Sequence, residues 1–92
     1  HNMQDLGKLM IGENTQEMLE CDLKLEHIAH KDLKDAVADS ESVGDYVSRD
    51  LFMHIMEAEE EHIDWRETQL GLIDKLGLQN YLQTATTTVK PA

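Results

Sequence analysis

Two long stretches of the chain repeat apolar residues at the spacing of one helix face, with a single turn signal between them. The first stripe runs through Leu19, Leu23, Glu26, Ala29 or His30, Leu33 and Val37, at steps of three or four residues. It predicts a helix over 14–41, roughly 40 Å long. Asn14 or Thr15 is placed to cap its start, and Glu17 and Glu20 suit the positive end of its dipole. SESVGD then marks a turn at 42–45. The second stripe is Phe52, Ile55, Met56, Glu59, His62, Ile63, Leu70 and Ile73, and predicts a helix over 46–76. Lys75 and Gly77 supply its C-terminal signals, a cation and a residue free to take positive φ. A short helix fits 78–86, with 1–13 as a lead-in and 87–92 as a tail. No strand pattern competes. The expected architecture is all-α, a helical hairpin with a short C-terminal helix.

Such a hairpin cannot enclose a core, because two antiparallel helices leave part of each apolar stripe facing water. It forms one folding unit that is incomplete alone and needs another helix pair, from a partner segment or a second copy. Composition narrows the options. The 92 residues carry 8 Lys+Arg against 19 Asp+Glu, a net charge of −11, which argues against nucleic acid as a partner. No apolar run reaches the length of a membrane span. The one cysteine, Cys21, excludes an intramolecular disulfide and suits a cytoplasmic location.

The residues that interrupt the stripes carry the candidate chemistry. Glu26 sits among Leu19, Leu23, Leu33 and Val37; Glu59 and His62 sit one turn apart in the second stripe. About the turn, Glu26 and Glu59 come to nearly the same height in an antiparallel hairpin. Buried carboxylates need partners. One Glu from one helix and Glu-x-x-His from its neighbour make half of a ferritin-like di-iron carboxylate site, with the oxygen and nitrogen donors that iron accepts. The alternative is that Glu26 lies at a boundary and pairs with a cation. His27 and His30 form an HxxH pair that reads as an accessory ligand set or as solvated rim histidines. His54 falls off the stripe, Met53 and Met56 read as core filler, and Cys21 reads as a small apolar residue. The run EAEEE reads as a solvated face whose field draws cations.

Several strings together resemble the C-terminal half of a bacterioferritin: QDLGKLMIGEN, EMLECDLKLE, GDYVSRDLF, EEEHIDW and ETQLGLIDKLGLQNYLQ, covering about 2–83. The resemblance implies a crossover segment, the third and fourth helices of a four-helix bundle, and a short fifth helix. It implies that Glu59 bridges two irons, that His62 binds one of them, and that Glu26 is a terminal ligand. Asp64 and Thr68 resemble residues lining a cation route between subunits, and Asn80 and Gln83 resemble positions around a four-fold axis. Trp65 matches an aromatic tied to electron supply. A complete assembly of this kind can carry haem b, whose axial methionine would not be in this chain.

The implied function is iron storage and detoxification: ferroxidase oxidation of Fe(II), with ferric mineral held in a large homo- or hetero-oligomeric shell. Arg66, where the family has an apolar residue, departs from the pattern, as do His27 and His30. The chain also starts at His1 where a Pro is expected, which suggests a piece of a subunit. Two other readings stay open. One is a half-ferritin homodimer that builds the site from two copies, as in the encapsulated ferritins; the other is a non-catalytic acidic helical module.

Overall fold

A computed structural model describes residues 14–85. The readings made for 1–13, for position 86 and for the tail 87–92 lie outside the described residues. Three helices follow one another: α1 (Thr15–Ser42), α2 (Tyr46–Leu76) and α3 (Leu78–Ala85). No strand occurs among the described residues, so the fold is all-α, as the helical spacing of the apolar residues predicts.

The reversal between α1 and α2 takes only three residues because one hydrogen-bond pattern ends the first helix while starting the second. Gly44 takes φ 74. Its N–H donates to Glu41 O at 3.1 Å, and the Asp45 N–H donates to Ser40 O at 2.8 Å. That pair of bonds is a Schellman motif, which satisfies the last carbonyls of α1 and requires a left-handed residue that glycine supplies without a Cβ clash. Asp45 then serves α2, its carboxylate accepting from Ser48 N at 3.1 Å. At the other end of the hairpin, Asn14 holds the N-cap position of α1 but makes no side-chain cap bond.

α2 stops at Gly77, whose N–H donates to Ile73 O at 2.8 Å, and the Asn80 side chain donates to Leu76 O at 3.0 Å. α3 therefore folds back onto the open end of the hairpin. Leu19, Ile73 and Tyr81 form the core there, with Trp65, Leu70, Leu78 and Leu82 packed against them. The Tyr81 hydroxyl donates to Gln69 Oε1 at 2.7 Å in the same buried patch.

Away from that patch Ile63 is also buried, but other apolar residues are open. Leu25 (58% exposed), Ile28 (51%), Leu51 and Ile55 lie uncovered along the two long helices. Ile55 thereby departs from its expected place in the inward stripe. Met53 is exposed and Met56 half-buried, so only the latter acts as filler. Cys21 is exposed rather than packed as a small apolar residue. No described helix is long and apolar enough to cross a membrane.

Candidate metal centre

The turn sets which residues of α2 face Glu26. Gly44 stands 18 residues after Glu26, and His62 stands 18 after Gly44, so the antiparallel hairpin brings His62 opposite Glu26. Glu59 and His62 share a face because residues three apart are neighbours on a helix. The result is a cluster in which Glu26, Glu59 and His62 each offer one donor atom, all within 4.8 Å of one another. Among the described residues this is the one such trio.

Each donor has a different environment. Glu26 is mostly buried, at 14% exposure, and both its oxygens face α2: Oε1 lies 3.5 Å from His62 Nδ1, and Oε2 accepts from Arg66 Nε at 2.7 Å. Glu59 Oε2 is buried and has no hydrogen-bond partner. An uncompensated buried carboxylate oxygen is costly, and a cation at that point would satisfy it. Two carboxylates and an imidazole are a donor set suited to iron, so these residues fit the metal that the sequence pattern implies.

Arg66, the charged residue that departs from the family pattern at an apolar position, is mostly withdrawn from solvent. Its side chain is 12% exposed and lies against Glu26, with Nη1 3.6 Å from Asp22 Oδ2. Its guanidinium carbon also lies 5.8 Å from the centroid of the Trp65 ring. Asp22 was not among the expected site residues. A signal for it existed: Asp22 and Glu26 are like charges one turn apart on α1, an arrangement that is unfavourable without a cation between them.

The remaining candidates lie apart from the trio. His30 Nε2 is 3.3 Å from Glu60 Oε1 across the hairpin, while His27 is exposed. His54 is exposed near Glu57. Asp64 and Thr68 face outward on α2, as do Asn80 and Gln83 on α3. Trp65 is half-buried against the Leu19–Ile73–Tyr81 core.

Comparison with known proteins adds a family to this geometry. A ferritin-like domain family matches residues 2–76. The chain belongs to the ferritin family. It is 48% identical to a bacterial ferritin of Synechocystis sp. over 77 residues, which are 83% of this chain and 49% of that protein. It is 44% identical to a bacterioferritin of Brucella melitensis over 82 residues, 89% of this chain and 51% of the relative. A bacterioferritin of Rhodobacter capsulatus is 45% identical over 80 residues, 87% and 50% of the two chains. The bacterioferritin resemblance seen in the sequence therefore holds over most of this ferritin-family chain, which spans about half the length of the curated relatives it matches.

Proposed function

We propose that this chain contributes half of a di-iron ferroxidase centre in an iron-storing assembly. The observation that carries the reading is the trio Glu26, Glu59 and His62, whose donor atoms lie within 4.8 Å of one another while Glu59 Oε2 is buried without a partner. A second helix pair would complete the site and cover the open apolar faces. It would come from the rest of the same subunit or from another copy of the chain.

In this reading Fe(II) is the substrate. Glu59 bridges two ions, His62 binds one of them, and Glu26 is a terminal ligand. Carboxylate oxygens are hard donors and favour Fe(III) over Fe(II). Two Fe(II) give two electrons to O2, which takes two protons and leaves as hydrogen peroxide; peroxide can serve as the oxidant in turn. Asp64 and Thr68 on α2, and Asn80 and Gln83 on α3, are proposed to line cation routes between subunits, which their outward placement supports. The ferric product is stored within a cytoplasmic oligomer, and the complete assembly can carry haem b.

A second reading has an observation of its own. The Arg66–Glu26 bond is what a non-catalytic ion-paired module requires. That reading leaves the buried Glu59 oxygen unexplained. Fe(II) titration of the assembled protein in air, followed by ferric absorbance, separates the two. The ferroxidase reading expects saturable oxidation at about two Fe(II) per complete site, lost in Glu59→Ala. An absence of a saturable phase, or an unchanged phase in Glu59→Ala, would sink it.

A further inference from the structure

Arg66 occupies one of the oxygens that a metal ion would need. Its Nε–Oε2 bond to Glu26 is 2.7 Å, a short charge-assisted bond between two mostly buried groups. The same guanidinium points Nη1 toward Asp22, one turn earlier on α1, across 3.6 Å. That distance is beyond a hydrogen bond, so the guanidinium has a second carboxylate within reach that it does not yet fully engage.

Resting on the metal-centre reading, we propose that Arg66 is a resident counter-cation: it neutralises Glu26 in the metal-free protein and shifts to Asp22 as a divalent ion takes its place. A mostly buried carboxylate without a cation is strongly destabilising, so the guanidinium keeps the empty centre folded. An entering divalent ion repels the guanidinium and competes for the same lone pairs of Oε2. The half-buried Asp22 carboxylate gives the displaced charge a partner one helical turn away, so release of Glu26 does not strand a buried cation. Arg66 is thus a positioning residue that acts through Glu26 and sets how tightly the centre holds its ion.

The consequence is a pair of opposite effects at neighbouring residues. Contacts to metal ligands change affinity by roughly 10–100-fold; because this one competes with the ion for Oε2 rather than supporting it, Arg66→Leu tightens binding on that scale. Asp22→Asn removes the destination of the displaced charge, so binding weakens. Arg66→Lys keeps a cation and stays close to the parent.

The test is titration of the assembled protein with Co(II), which binds without oxidation and reports its coordination through visible absorption. Tighter binding in Arg66→Leu together with weaker binding in Asp22→Asn supports the proposal. Parental or weaker binding in Arg66→Leu overturns it, as does parental or tighter binding in Asp22→Asn. If Arg66→Leu does not fold without metal, Arg66→Gln carries the same expectation with a polar side chain. Glu26→Gln separates the two levels. If it weakens Co(II) binding while Arg66→Leu has no effect, only the counter-cation role falls. If Glu26→Gln binds as the parent does, the metal-centre reading falls with it.

Discussion

Glu59 and Tyr81 show opposite solutions to the same problem of a polar group in a thin core. The Tyr81 hydroxyl finds Gln69, so Tyr81→Phe leaves the Gln69 oxygen buried and unpaired. Its expected cost is about 1–3 kcal/mol, read from chemical denaturation of the assembled protein. Burial also holds the Tyr81 hydroxyl above its ordinary pKa. A raised pKa in the folded state stabilises below the ordinary tyrosine value, and that contribution fades as pH rises through the folded one. Tyr81→Phe should therefore flatten the alkaline limb of the stability profile. Glu59 has no such partner, and Glu59→Leu should raise the stability of the metal-free protein by about 1–3 kcal/mol while abolishing iron oxidation. A loss of metal-free stability in that variant would contradict the account of its buried oxygen. The sequence exposes Glu26, Glu59 and His62 as interruptions of an apolar stripe, because a polar residue on a buried face is locally visible. It does not expose Gln69 as buried, or Arg66 as the partner of Glu26. Those depend on pairings across the tertiary structure, 12 and 40 residues apart.

The three helices are legible as periodic patterns, and their ends are governed by chemistry of single residues. The sequence reading placed the turn at 42–45, whereas α1 stays helical through Ser42. The reversal is tighter because Asp45 takes two roles, donating its N–H to Ser40 and accepting from Ser48. A propensity argument sees a capping residue and not the shared use. The hydrogen bonds from Ser48 hold the Asp45 carboxyl below its usual pKa. Its contribution is present above the ordinary aspartate value and disappears as pH falls through the depressed one; Asp45→Asn should reduce the acid dependence of unfolding. Gly77 matters more. At φ 80 and ψ 152 it lies where essentially only glycine is found, and apart from its own chain neighbours nothing stands within 4 Å of where a Cβ would sit. Gly77→Ala should then cost about 1–3 kcal/mol through the backbone alone. Measured stability equal to the parent would contradict the strain argument.

At the scale of the molecule, the pieces describe a half bundle. Leu25, Ile28, Leu51 and Ile55 remain exposed, and burying each fully is worth about 1.5–3 kcal/mol. A solitary 92-residue chain should accordingly sediment as an associated or expanded species; a compact monomer with cooperative unfolding would contradict this. The excess of acidic residues then divides between the centre and an outer surface that attracts cations. The proposed role of Glu26, Glu59 and His62 is to serve half of a two-iron site. Iron-edge anomalous diffraction from crystals of the assembled protein exposed to Fe(II) tests it most directly. Two peaks about 3.5–4 Å apart are expected, bridged by Glu59, with Glu26 released from Arg66 and further ligands from a second helix pair. No peak within bonding distance of Glu59, with Glu26 still held by Arg66, would contradict it.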